Sequence, residues 1–197
     1  MVYDFHHADR KRCGSLKVPG LAVFLVLLAG CAHSPEPRFY TLDMTPSGKA
    51  AASCNIEVER LRPHDALTRV DLMVKTSPTQ VEYYALDRWA ATLSELVPEK
   101  LRAEFGAPLA GRRTLVLSGT ILAFEQVDTE EGANAHVKLD LELRNEGDSR
   151  YAAPLLQKVY EIAVPAGQPA PADVVRALSS GLETLATQIA ADAGALP

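Results

Sequence analysis

Few residues in this chain combine a reactive group with a spacing that could use it. Cys31 follows Leu28, Ala29 and Gly30. A cysteine thiolate is a nucleophile, so the chemistry open to Cys31 is attack on an electrophilic carbon. Once Cys13 is removed with a leader and Cys31 is acylated, Cys54 remains alone, so no intramolecular disulfide and no multi-cysteine metal site can form. Cys54 reads as a half-buried residue at the start of a strand. His33, His64 and His136 are far apart and in no metal-ligand spacing. The chain has no G-x-S-x-G, GxxxxGK[ST], G-x-G-x-x-G or HExxH pattern. Ser118-Gly119 falls inside a strand, without the sharp turn that exposes a nucleophile. Asp128, Glu130 and Glu131 sit in a loop and read as a solvated turn. Nothing here supports an enzyme, a metal or another cofactor.

The segment that presents Cys31 has its own pattern. Arg10, Lys11, Arg12 and Lys17 precede Val18–Gly30, an uncharged and mostly apolar run of thirteen residues. As a helix it would span roughly 20 Å, short of a bilayer core of about 30 Å. A positive stretch followed by a short apolar run is a secretory signal. With Leu28-Ala29-Gly30-Cys31 it resembles the lipobox of bacterial lipoproteins, which implies cleavage before Cys31 and alkylation of its sulfur by a diacylglyceryl group; the competing reading is a soluble secreted protein with a chance cysteine. The expected division is a signal peptide over residues 1–30, a lipidated tether over 31–37 and one domain over 38–197. Two or three acyl chains give durable membrane attachment where one gives only marginal binding. Ala32 stands where an Asp would retain an enterobacterial lipoprotein at the inner membrane. By that resemblance the anchor sits on the periplasmic face of the outer membrane.

The chain has 197 residues, of which 47% are hydrophobic, 23% charged and 6% aromatic, which excludes collagen-like, disordered and polytopic membrane classes. Twenty basic side chains face twenty-five acidic ones, and residues beyond 30 carry 16 and 23, so nucleic acid is excluded as a partner on charge.

Hydrophobic periodicity predicts strands over 38–42, 56–61, 72–75, 80–84, 115–124, 137–144 and 155–164. Thr76–Thr79 is a hairpin turn, and residues 126–135 form an acidic hairpin loop. Asp87 is expected to cap a helix running through Trp89, Leu93, Leu96, Val97, Leu101 and Phe105. Pro98 should kink or split that helix, and Gly106 should end it. After a linker over 165–172, a second helix over 172–191 carries a stripe of Val175, Leu178, Leu182, Leu185 and Ile189. The fold class is α/β of the α+β kind: one domain, a mixed and mostly antiparallel sheet, two main helices packed on it.

Several ordered motifs resemble the PqiC-like (YmbA-like) ABC-type transport auxiliary lipoproteins. These are the lipobox, Pro35-Glu36-Pro37-Arg38-Phe39-Tyr40-Thr41-Leu42, Lys75-Thr76-Ser77-Pro78, Asp87-Arg88-Trp89-Ala90 and the strand ending in Phe124-Glu125. Pro98 departs from the family pattern, in which the helix runs uninterrupted. The resemblance implies a periplasmic, non-catalytic α/β domain that assists an MCE-type ABC system moving lipids between the two membranes. The partners implied are the membrane, through acyl chains on Cys31, and an MCE-domain subunit. A second copy of the chain and a phospholipid remain open as further partners.

Among surface candidates, Arg88 and Trp89 would suit a protein interface, where both types are enriched. The alternative is that Trp89 packs in the core and Arg88 makes a structural ion pair. Tyr83 and Tyr84 point to opposite faces of a strand, and Tyr83 is the third candidate for partner binding. Two other functional classes compete: a structural envelope-assembly lipoprotein without a transport partner, and a periplasmic hydrolase.

Overall fold

The computed structural model describes residues 35–50, 52–149 and 151–197. The leader, the Leu28–Cys31 motif and His33 lie outside these residues.

Among the described residues, eight strands form one sheet. They are β1 (Arg38–Tyr40), β2 (Asn55–Val58), β3 (Arg62–Pro63), β4 (Asp71–Ser77), β5 (Gln80–Trp89), β6 (Thr114–Thr129), β7 (Gly132–Asn145) and β8 (Leu156–Gly167), with helix α1 (Leu93–Phe105) after β5 and α2 (Pro171–Ala195) after β8. The sheet order is β1-β5-β4-β6-β7-β8, and β2 and β3 pair in parallel with β6 beside β4. The pairs β4–β5, β6–β7 and β7–β8 are antiparallel, while β1–β5 and β4–β6 are parallel. The domain is therefore α+β with a mixed sheet and two helices.

Alternation of residue type decides which face is dry. On β7, Ala135, Val137, Leu139, Leu141 and Leu143 are buried, and His136, Lys138, Asp140, Glu142 and Arg144 between them are not. The dry face is covered by α2, whose Val175, Leu178, Leu182, Leu185 and Ile189 are all buried. Each such side chain contributes about 1.5–3 kcal/mol on burial. Gly181 lies against Val137, Ile162 and Val164, so a side chain there would crowd the sheet. Helix α1 packs on β2, β3 and α2.

Several expected boundaries move. Asp87 does not cap a helix: β5 continues to Trp89, and Thr92 caps α1. The Glu95 carboxylate accepts from the Thr92 backbone N–H at 3.2 Å and from its hydroxyl at 2.9 Å, a capping-box contact. Pro98 does not split the helix. It sits inside a continuous α1, where its missing N–H leaves the Ser94 carbonyl without the usual donor. Gly106 ends the helix with φ of 76°, a conformation that glycine adopts without strain. The acidic loop shrinks to Glu130–Glu131, because β6 and β7 pair as far as Thr129 and Gly132. Likewise β8 runs to Gly167, and Pro171 opens α2 at a position where its missing N–H costs nothing. The strand expected over 56–61 stops at Val58, and a further short strand, β3, follows at Arg62–Pro63 on a different stretch of β6.

Candidate functional site

Three regions hold polar groups in defined arrangements. The first is at β1, the first strand of the described residues. In β1, Arg38 and Tyr40 meet Asp87, which is 3% exposed. Arg38 donates to both carboxylate oxygens, Nε–Oδ1 at 2.8 Å and Nη2–Oδ2 at 2.9 Å, and the Tyr40 hydroxyl donates to Oδ1 at 2.9 Å. A buried carboxylate is tolerable only when so matched. Burial and the neighbouring Asp87 push the Tyr40 hydroxyl above its usual pKa, and the bond to Asp87 raises Arg38 further. Asp87 thus locks a three-residue strand onto the sheet; the Asp87-Arg88-Trp89 motif serves β5 rather than a helix start.

Trp89 is 3% exposed and stacks at a tilt on Phe124, ring centroids 5.6 Å apart. Its ring lies on the dry face with Tyr40, which is the packing arrangement that the sequence offered beside the interface one. Arg88 points the other way and pairs with Asp71 at 3.2 Å, which Arg69 also holds at 3.0 Å. Tyr83 is half-buried; its hydroxyl donates to the Ala66 carbonyl at 2.9 Å, and the Arg69 guanidinium lies 4.3 Å from its ring. Tyr84 donates to Gln126 at 2.8 Å. The structure brings Tyr83, Arg69, Asp71 and Arg88 into one cluster and leaves Trp89 outside it. Cys54 is half-buried, one residue before β2.

The second region is buried between the helices. Lys100 bonds Glu104 at 2.7 Å, Glu183 of α2 at 3.2 Å and the Thr45 carbonyl at 3.0 Å. Ser47 donates to Glu104 through its backbone and its hydroxyl. This network fastens the loop after β1 to both helices. It is closed to solvent at Lys100, so it is structural.

The third region lies on the wet face of the sheet. Neighbouring positions across strands share a face, so Glu125 of β6, His136 of β7 and Ala163 of β8 form one row, and Val127, Asn134 and Pro165 the next. His136 is clamped between carboxylates, Nδ1–Glu125 at 3.3 Å and Nε2–Glu161 at 2.9 Å, and Lys138 holds Glu161 at 2.9 Å. The bond to Glu125 raises the imidazole pKa; burial opposes it, and Glu161 adds to the rise. Beside this chain of charges lies an open pocket of about 430 Å³ reaching Lys75, Pro78, Val127 and Ala163. None of this was readable as a site in the sequence. The alternation of β7 was visible, but the residues that meet His136 come from β6 and β8 by register.

Among the described residues no group of three or more His, Cys, Asp or Glu is placed to hold a metal, and no helix is long and apolar enough to cross a membrane. The profile of the ABC-type transport auxiliary lipoprotein component family matches residues 40–190, nearly the whole described domain. The chain belongs to this family. It is the PqiC-like family that the motifs indicated, and it is not a family of enzymes. Two solved structures share the fold of this chain. One, described as an uncharacterised protein, has a TM-score of 0.63 at 16% identity and covers 80% of this chain and 99% of its own. The other, protein XCC0632 from Xanthomonas campestris, of the DUF330 family, has a TM-score of 0.59 at 17% identity and covers 77% of this chain and 92% of its own. Among the curated proteins none matches the chain significantly.

Proposed function

We propose that this auxiliary lipoprotein is anchored through acyl chains on Cys31 to the periplasmic face of the outer membrane. There it serves, without catalysis, an MCE-type ABC system that carries lipids between the two membranes. The observation that carries this reading is the placement of β1. A family member of the ABC-transport auxiliary class begins its first strand at Arg38, seven residues after a lipobox cysteine. Seven extended residues reach at most about 25 Å, so the domain would work close to its membrane. A tethered domain whose polar clusters are engaged in holding strands and helices together suits a partner-binding role better than a chemical one.

The test has two parts. Mass spectrometry of the protein from cells should find a diacylglyceryl or triacyl modification on Cys31, absent from Cys31→Ala. Affinity capture of the acylated protein should recover an MCE-domain subunit. A bare thiol with the protein free in the periplasm, or capture without any such subunit, would overturn the reading.

A further inference from the structure

We infer that the pocket on the wet face of the sheet is a binding site for a phosphate-bearing amphiphile, with Lys75 as the residue that takes the phosphate. This deepens the lipid-transport reading and rests on it for the source of the ligand.

The pocket's polar groups divide unequally. Lys75 of β4 is half-buried, and its ammonium has no hydrogen-bond or ion-pair partner among the described residues. The Asn134 side-chain amide is likewise unpartnered. Ser77 accepts weakly from the Thr79 N–H at 3.4 Å, which leaves its hydroxyl proton free to donate. Of the acceptors nearby, Glu125 and Glu161 hold His136, and Asp128, an exposed lining residue, takes the Gln126 amide on Oδ1 at 2.6 Å. Both His136 ring nitrogens are occupied, so the imidazole shapes the pocket wall without offering a donor. Three free donors around one space call for an acceptor with several oxygens, and a phosphate supplies them.

The rest of the lining is apolar. Val127, Pro78 and Ala163 present side chains without polar atoms, and the space of about 430 Å³ exceeds what a bare inorganic ion fills. The Lys75-Thr76-Ser77-Pro78 motif thereby gains a use beyond making a hairpin turn. Lys75 is set on this face by its pairing with Val127, and Ser77 and Pro78 close the pocket from the turn.

The experiment offers a short-chain, water-soluble phosphatidic acid with a diazirine in its acyl chain to the acylated protein in dodecyl maltoside micelles, which carry no phosphate. Cross-links should map to peptides of β6, β8 and the β4–β5 turn. Lys75→Glu and Asn134→Asp should each cut the labelling about ten-fold or more. Lys49→Glu, an exposed charge reversal elsewhere, should leave it unchanged, and the circular dichroism of each variant shows that it folds. Labelling unaffected by Lys75→Glu would overturn the assignment. So would labelling abolished by inorganic phosphate as readily as by unlabelled lipid, because the apolar wall would then be idle. Capture of the MCE subunit separates the two readings: labelling lost with capture intact sinks only the pocket, and the reverse sinks only the transport role.

Discussion

Lys100 and Glu104 stand one helical turn apart on α1, 2.7 Å from nitrogen to oxygen, with both side chains wholly enclosed. Burial alone would raise the Glu104 pKa, but bonds from Lys100 and Ser47 outweigh it and hold the carboxyl below its usual range. Burial likewise opposes the charge on Lys100, and the two glutamates overcome it. Because the folded Glu104 pKa is depressed, its contribution is complete above the ordinary carboxylate range and is lost as pH falls through the lowered value. Lys100→Met leaves a buried carboxylate unpaired and should destabilise by about 3–5 kcal/mol. Chemical denaturation at neutral pH measures it; a loss below about 1 kcal/mol would mean that the pair is solvated.

The His136 imidazole titrates with the opposite sign. Its folded pKa lies above its ordinary 6.5, chiefly through the bond to Glu125. Its stabilisation is complete below the ordinary value and fades as pH rises through the raised one. The groups facing it are Glu125, Glu161 and Lys138. Nuclear magnetic resonance of the imidazole should show the elevated midpoint, and Glu125→Gln should bring it down. An unchanged midpoint in that variant would assign the shift to another source.

Trp89→Ala should cost about 3–5 kcal/mol, as loss of a large core aromatic does. Arg88→Ala, which removes a partly exposed ion pair, should cost about 1 kcal/mol or less. The indole should emit at short wavelength and resist collisional quenchers. An emission maximum like that of free tryptophan would contradict the contact with Phe124.

Gly119 lies in β6 with φ of 150°, and a Cβ built there would stand 2.1 Å from the Asp140 carbonyl oxygen of β7. Gly119→Ala should therefore push the longest strand pair apart and cost about 1–3 kcal/mol or more. Gly147, in open space after β7, should tolerate alanine with only its backbone strain. Equal melting temperatures for the two variants would show that the sheet gives way at Gly119.

The order of strands, helix, meander and helix was legible because period-two and period-3.6 patterns are local. The α2 stripe and the alternation of β7 state their own faces. The start of α1 was not legible at Asp87, because its partners Arg38 and Tyr40 lie more than forty residues away. Thr92 with Glu95 carried the local signal that Asp87 only imitated. The acidic 126–135 segment looked like a loop on composition, yet the pairing of β6 with β7 carries it as strand to a two-residue turn. Of the wet-face pocket the Lys75–Pro78 motif, His136 and Asp128 each stood out singly but not together, since the pocket is a product of register across four strands.

The three-residue β1 has a mechanical consequence. A domain leashed by its amino terminus feels every tug through the first ordered segment, and that segment has few backbone bonds to resist peeling. Behind it stands the two-pronged grip of Arg38 on Asp87, in a strand laid parallel to its neighbour. Under the anchoring proposed at Cys31, tension would strain that grip before reaching Trp89 and the interior, and β1 would be the fuse that lets go while the remaining sheet keeps its shape.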